Sequence, residues 1–543
     1  MGAILNPEVS DFHKIAGPRY VDKTELIAYT NSVMETDLKL ICFSRPRRFG
    51  KSYAAKMLAA FYSKGADWRA AFEKLNIAQN DRFSKCQSFK SALLEPIPWD
   101  RYLNQCNVLF LDLSRYSSLR GNKDFLSSLQ GEVAEELKKT YSDVLSGEET
   151  TDLSDLLVKI NQATKNRFYI IIDEWDVPFR EFSDQPDLLL SYVDFLRKLF
   201  KTNLSDTYLY GAYMTGILPI KKYPTQSALS NFSEFSMLEP GLLAEFVGFT
   251  EEEVRLMCDK ADMSFAEMQR WYDGYRFDRI GHIYNPNSVM VAINKRRCDS
   301  YWSKSSSWES LSLYIDLNFD GLRDAVLSLL GGTPCRIDPT SFLNDMTSMH
   351  SKDDVLTLLV HLGYVAYDID TSTVSIPNEE VRREFLTALK NGKRTELTNI
   401  IALSDKLLVA TIGKHADRVA ELLEEVHLSH TSPHHYNNEE ALRSVVIMGY
   451  LSCVDHYQRF EEISGGRGYI DILFHPNPGS GYPALLIELK KNHPADTAIA
   501  QIRERKYPEA LKQFNYHGEL LLIGISYNDK NNHHDCRIES LTL

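Results

Sequence analysis

The chain has 543 residues, 43% of them hydrophobic, and a formal net charge of −13. That much apolar material suits two or three domains, and the acidic balance excludes bulk attraction to nucleic acid, so any DNA contact must use a local basic surface. The eight cysteines show neither a C-x-x-C pair nor zinc spacing, which predicts reduced, buried thiols. Residues 1–10 lack a charged-then-apolar leader pattern and no apolar run approaches membrane-spanning length, so a soluble cytoplasmic chain is expected.

Residues 20–24, Tyr-Val-Asp-Lys-Thr, precede a helical stretch. Asp22 or Thr24 is expected to be its N-cap, with a nucleotide-base contact as the alternative. Next comes an apolar run from Leu38 to Phe43, then Ser44-Arg45-Pro46-Arg47-Arg48-Phe49-Gly50-Lys51-Ser52, then apolar residues at helical spacing from Ala54 to Tyr62. Strand, tight loop, Gly-Lys-Ser and helix together predict a phosphate-binding loop. Backbone N–H groups of the loop and helix start would hold a polyphosphate. Gly50 would allow close approach, Lys51 would reach the β/γ-phosphates of ATP, and Ser52 would ligate Mg²⁺. Arg45 stands where the full pattern wants glycine, and with Arg47 and Arg48 it is expected to keep the loop cationic.

A second buried strand, Asn107 to Ser114, ends in an acid, and residues 122–164 read as helical. The run Phe168-Tyr169-Ile170-Ile171-Ile172-Asp173 has the continuous apolar character of a parallel strand covered on both faces, with acids at its carboxyl end where ligands bind in open α/β sheets. Asp173 is expected to hold Mg²⁺ and Glu174 to polarise the attacking water. A fourth strand, Thr207 to Met214, ends at Thr215-Gly216, and Thr215 is placed to sense the γ-phosphate or to serve as a turn hydroxyl. From Gly241 the pattern becomes helical and charged, with an acidic helix start at Thr250–Glu253 and aromatic clusters at 271–275 and 284–286 that suit packing. Residues 351–385 read as helix, strand, turn, strand and helix, compatible with a winged-helix unit. Residues 395–430 are helical, and a linker is expected over 427–435.

The last part carries eight of the fifteen histidines. After a helical stretch from Glu439 to Cys453 come two apolar strands, 468–474 and 484–490, joined by a Pro/Gly loop that predicts a hairpin. Alternation puts Glu488 and Lys490 on one face, with Asp471 on the partner strand. Two carboxylates and a lysine converging there suit Mg²⁺. Lys490 would position the metal's water or stabilise developing charge, and Gln501, on a helix expected over 497–514, would orient that water. A further strand is expected over 520–525.

Residues 20–24, 44–52, 169–178, 214–216, 249–254, 271–275 and 284–286 together resemble the AAA-ATPase-like family of bacterial proteins, whose phosphate loop reads Arg-Pro-Arg-Arg-Phe-Gly-Lys-Thr. The resemblance makes Arg45 part of the pattern and Ser52 a mild departure. The C-terminal part resembles the PD-(D/E)xK nuclease-like domain at Asp471, Glu488, Lys490, Gln501 and Tyr507, with Glu440 the nearest match for an acid on the first helix. The expected fold is α/β: a P-loop sheet over 1–240, a helical and winged-helix-like region over 241–430, and a restriction-endonuclease-like α/β domain over 431–543. The expected function is an ATP-binding and ATP-hydrolysing switch coupled to a Mg²⁺-dependent nuclease acting on DNA, by analogy in defence against foreign DNA. The alternatives are a regulatory or DNA-binding module with an inactive nuclease fold, and a homo-oligomeric scaffold that assembles on ATP.

Overall fold

The computed structural model describes residues 2–7, 17, 20–65, 67–79, 97–119, 125–220, 229–277, 280–302, 311, 314–317, 319–343, 349–391, 395–430, 439–465, 468–477, 480–508, 511 and 516–543. The chain divides into two compact units, Met1–Asp299 with Ile337–Asn378, and Ser300–Arg336 with Glu379–Leu543.

In the first unit, β1 (Leu40–Ser44), β2 (Asn107–Asp112), β3 (Phe168–Asp173), β4 (Leu209–Gly216) and β5 (Ser233–Phe235) form a parallel sheet in the order β2-β3-β4-β1-β5. Every residue of β1 and β3 is buried, as the unbroken apolar runs require. Each fully buried Ile or Leu contributes about 2 kcal/mol, so burial rather than strand propensity fixes these elements. The short edge strand β5, Ser-Glu-Phe, had no apolar run to announce it. Helices α1 (Leu26–Val33), α2 (Lys51–Tyr62), α3 (Phe125–Thr140), α4 (Leu153–Thr164) and α5 (Pro186–Phe200) surround the sheet, and a core from Leu40 and Leu109 to Met214 lies between strands and helices.

The expected cap of α1 is absent: its N-cap is Glu25, whose side chain makes no capping hydrogen bond. Asp22 instead accepts from the Thr24 N–H (2.9 Å) and hydroxyl (2.6 Å) through Oδ1 and from the Asn76 N–H (2.7 Å) through Oδ2. Thr24 Oγ1 accepts from the Ile77 N–H at 3.1 Å. The two residues therefore cap the short helix Asn76–Gln79, far along the chain, which no local spacing could reveal.

Past the sheet, β6 (Phe249–Thr250) leads into α6 (Glu251–Ala261) through a capping box between Thr250 and Glu253. Helix α7 (Phe265–Tyr272), the hairpin β7 (Tyr275–Phe277) and β8 (Gly281–Tyr284), and α8 (Pro286–Lys295) follow. The aromatic clusters are packing: Trp271, Tyr272, Tyr275 and Tyr284 are buried, and Tyr275 meets Phe49 edge-on at 5.5 Å between ring centroids. Helix α9 (Lys352–Leu362) and the hairpin β9 (Ala366–Asp368) and β10 (Thr373–Ser375) complete the first unit. The following helix α10 (Glu379–Asn391) falls in the second, so the helix–hairpin–helix order expected over 351–385 divides between them.

In the second unit, α11 (Thr395–Ile412), α12 (Ala416–His430) and α13 (Glu439–Gly449) precede a five-stranded sheet of β11 (Tyr457–Gly465), β12 (Gly468–Pro476), β13 (Ala484–Lys491), β14 (Glu519–Asn528) and β15 (His533–Thr542), paired in that order. The expected linker falls partly within α12, and its residues 431–435 lie outside the described residues. The hairpin of β12 and β13 is present, with Ile472 opposite Ile487, while β13 and β14 run parallel. Helix α14 (Ala495–Glu504) connects them and packs on both. It is shorter than the 497–514 expected, and residues 509–510 and 512–515 lie outside the described residues. Of the cysteines, Cys86 lies outside the described residues; six of the other seven are buried and Cys335 is half-buried.

Candidate active sites

At the end of β1 the chain turns through two left-handed residues, Arg48 (φ 69°) and Gly50 (φ 97°), before α2 begins at Lys51. A Cβ on Gly50 would meet no atom within 4 Å, so its backbone angle is what calls for glycine. Lys51 is buried and folds back over the loop, its Nζ donating to the Pro46 carbonyl at 3.0 Å. Burial holds its ammonium below the ordinary lysine range, while Glu174, Asp176 and Asp173 pull in the opposite direction.

Arg47, Arg48, Gly50, Lys51, Ser52, Glu174 and Arg180 line one cavity of about 1010 Å³. Tyr20, Val21, Lys23, Met57, Phe249 and Met290 line it as well. The lining therefore offers both cationic and apolar side chains, as a nucleotide needs. Arg45 departs from the expectation that it helps keep the loop cationic. Its side chain is fully buried, Nη1 donating to the Ser44 (2.9 Å) and Ser236 (2.8 Å) carbonyls, with the guanidinium 4.5 Å from the centre of the Phe43 ring. Burial lowers it to about 9; it braces the strand end and does not line the cavity.

Asp173 ends β3 opposite Thr215 of β4. Asp173 Oδ1 and Thr215 Oγ1 are both buried without a hydrogen-bond partner. Burial lifts the Asp173 carboxyl to about 6, against the pull of the Ser52 hydroxyl. A buried, half-satisfied carboxylate beside a hydroxyl fits a divalent ion held by Ser52 and Asp173. Thr215, the register partner of Asp173 on β4, is not part of the cavity lining, so the expected contact with a γ-phosphate is not supported. Glu174 sits at φ 58° and pairs with Arg180, which also holds Asp176 at 3.0 Å. Asp176 Oδ2 accepts from the backbone N–H groups of Ile217 (3.1 Å) and Leu218 (3.0 Å).

In the second unit, backbone pairing of β12 with β13 runs from Phe474 to Ile472 on one strand and from Leu485 to Ile487 on the other. Asp471 and Glu488 are the next residue on each strand. Asp471 Oδ2 reaches across to accept from the Leu489 N–H at 2.7 Å. Glu488 Oε1 accepts from Lys490 Nζ (3.0 Å) and from the Gln501 amide, which also reaches the Tyr507 hydroxyl at 3.2 Å. Glu488 Oε2 is buried without a partner. Burial, then the Asp471 charge, raise Glu488 to about 7, and Asp471 is raised as well, chiefly by burial. The structure thus brings Asp471, Glu488, Lys490 and Gln501 together, with Gln501 gripping the carboxylate.

Among the described residues no three His, Cys, Asp or Glu side chains gather closely enough to hold a metal by themselves. Two carboxylates nevertheless fit Mg²⁺, which keeps several waters and needs only one or two protein carboxylates. The side chain of Glu440 lies outside the described residues. Its neighbour Glu439 acts electrostatically on Asp471, and Arg443 of the same helix approaches Asp471 Oδ1 at 3.9 Å while pairing with Glu462 at 2.6 Å. Helical spacing from Glu439 to Arg443 would have flagged this face.

Residues 8–224 match the family described as a predicted AAA-ATPase, and residues 437–535 match the PD-(D/E)XK nuclease superfamily. The chain joins an AAA-ATPase-like domain to a PD-(D/E)XK nuclease-type domain. A curated relative, the uncharacterized protein in the vnfD 5′ region of Azotobacter chroococcum mcd 1, is 24% identical over 297 residues, 53% of this chain. The chain spans about half (51%) of that relative's length. Among solved structures, the Walker-type ATPase PABY2304 of Pyrococcus abyssi is 13% identical, covering 68% of this chain and 97% of that one at a TM-score of 0.34. The ORC2 protein of Aeropyrum pernix is 11% identical, covering 69% and 98% at a TM-score of 0.27. Likenesses that low leave the ATPase-like fold to rest on its own sheet order. Among the described residues, no helix is long and apolar enough to cross a membrane.

In the ATPase-like domain, sequence reasoning missed Arg180 and Asp176. Their spacing of four residues on the turn after β3 was the available signal.

Proposed function

We propose that the ATPase-like domain binds and hydrolyses ATP as a switch, and that the nuclease-type domain cuts DNA with Mg²⁺ under that control. Defence against foreign DNA is the setting this pairing suits, by analogy. The observation that carries the nuclease half is Glu488: a buried carboxylate with one oxygen unpartnered, raised to about 7, beside Asp471 and Lys490. Lys490 meets only one of the Glu488 oxygens, and a second cation at the unpartnered one would stabilise the ionised form. A bound divalent ion supplies an activated water at neutral pH. Asp471 and Glu488 hold the ion, Gln501 fixes the Glu488 carboxylate, and Lys490 stabilises charge developing on the phosphate. In the other domain Lys51, Arg47 and Arg48 bind the phosphates around Gly50. Ser52 and Asp173 hold the Mg²⁺, and Glu174 orients the attacking water.

The deciding assay is cleavage of single- and double-stranded DNA and RNA with Mg²⁺ or Mn²⁺, with ATP, a non-hydrolysable analogue, or neither. Lys490→Ala should abolish cleavage and leave ATP binding intact. Absence of cleavage under every condition would sink the nuclease half.

A second reading, a module whose nuclease fold only binds nucleic acid, draws on the metal-site observation: among the described residues no third acid joins Asp471 and Glu488. It predicts salt-sensitive DNA binding that survives Asp471→Ala, and measured cleavage would exclude it.

A further inference from the structure

The arrangement around Glu174 contains a group that the hydrolytic assignment does not use. Arg180 lies on the short helix Val177–Glu181 that follows β3. One edge of its guanidinium, Nε, donates to Asp176 Oδ2 at 3.0 Å; a second edge, Nη2, pairs with Glu174 Oε2. The two anchors differ. Asp176 is fully buried and held by the Ile217 and Leu218 N–H groups, whereas Glu174 is partly exposed and faces the cavity. Arg180 lines that same cavity with Lys51 and Ser52, and its charge is felt at Lys51.

The Asp176 anchor is also closely packed. A Cβ on Gly216 would come within 2.7 Å of both Asp176 Oδ1 and the Trp175 ring, so strand β4 presses directly on this carboxylate. Glu174, by contrast, occupies a left-handed backbone position at the strand end, with the Trp175 N–H bonded to the Thr215 carbonyl at 3.0 Å. Its side chain is therefore the partner free to change contacts while the backbone stays put.

A carboxylate engaged by a guanidinium is a poor acceptor for a water proton, because its lone pairs and charge are already committed. A terminal phosphate in this cavity would compete for the same Nη2 edge, carrying more charge and more acceptor oxygens than one carboxylate.

We propose, building on the ATP-binding reading above, that Arg180 is a positioning residue that discriminates nucleoside triphosphate from diphosphate by exchanging partners. With the cavity free of a γ-phosphate, Arg180 bridges Asp176 and Glu174 and keeps Glu174 engaged. When a γ-phosphate arrives, the guanidinium pivots on Asp176, its Nη2 edge passes to the phosphate, and Glu174 is released to orient water. A nucleoside diphosphate leaves the bridge closed. The carboxylate is thereby armed only when the substrate that needs it is present, and idle chemistry with the product bound is suppressed.

The test uses the full chain and equilibrium binding by calorimetry of ADP and of ATP's imidodiphosphate analogue. Three proteins are compared: wild type, Arg180→Gln and Glu174→Gln. Arg180→Gln should lose about tenfold or more in preference for the triphosphate while holding ADP as before. Glu174→Gln should move the opposite way, binding the triphosphate severalfold tighter, because Arg180 no longer leaves a charged partner. A purely structural ion pair would not give shifts of opposite sign. If Arg180→Gln fails to fold, with Asp176 left unpaired, Glu174→Gln preserves the Asp176 pair and decides the question alone. An unchanged triphosphate-to-diphosphate ratio in the folded variants overturns the exchange and leaves nucleotide binding standing. Wild type that binds neither nucleotide overturns both.

Discussion

Replacing Glu488 by Gln should make the metal-free protein more stable. Glu488 is 2% exposed, and burial together with Asp471 lifts its carboxyl from an ordinary 4.5 to about 7. Between those values the folded chain holds a proton that the unfolded chain has lost, so stability falls as pH rises through the window and the full penalty stands above it. The gap of about 2.5, at ~1.4 kcal/mol per pH unit, amounts to about 3 kcal/mol. Gln keeps an acceptor for Lys490 and Gln501 and removes only the charge. The expected gain is therefore about 3 kcal/mol near pH 8.5 in a chelator, fading to nothing near pH 4.5. Amide hydrogen exchange of peptides covering β12 and β13 reads this out within the second unit. Added Mg²⁺ should raise protection in the wild type and leave the variant unmoved. Equal or lower protection in the variant at the alkaline end would refute the electrostatic account of this site.

The ATPase-like domain offers the parallel case. Asp173→Asn should remove a penalty of about 3 kcal/mol, the gap between an ordinary 3.8 and about 6, which develops as pH rises from about 4 to about 6; nucleotide-free exchange protection of β3 checks it. Gly216→Ala should destabilise by about 2 kcal/mol, because the added methyl collides with Asp176 and Trp175; a urea titration measured at β4 decides it, and an unaltered midpoint would mean the turn relaxes freely. Thr250→Ala should cost about 1 kcal/mol by breaking the capping box of α6, visible as faster exchange in its first turn. Asp22→Ala should loosen the helix Asn76–Gln79 while leaving α1 unaffected, since Asp22 caps the former and not the latter.

What could be read from the residues was what burial and local spacing dictate. Strands β1 and β3 are continuous apolar runs because both faces are covered, and the Gly50-Lys51-Ser52 turn follows from a strand feeding a helix. Strands β11 and β15 escaped notice for the converse reason. They lie at the two edges of their sheet and carry charges such as Arg459, Glu461, Asp535 and Arg537, so no apolar run marks them. Arg45 misled because a cation in the loop sequence need not lend its charge to the loop: the side chain is buried over Phe43. Asp22 misled because a capping residue serves whichever helix start reaches it, and that start lies beyond the horizon of local pattern. For Arg180 the four-residue spacing announced the pair with Asp176, but the second contact, to Glu174, needed the fold, where the left-handed turn at Glu174 lets it meet the same guanidinium.

The backbone crosses between the two units three times, after Asp299, Arg336 and Asn378. Neither unit can be released as a single uninterrupted peptide, and a protease must cut at all three crossings to part them. Synthesis on the ribosome meets the same constraint. The first unit stays incomplete until α9 and its hairpin emerge, by which time Ser300–Arg336 is already waiting for partners that are made last.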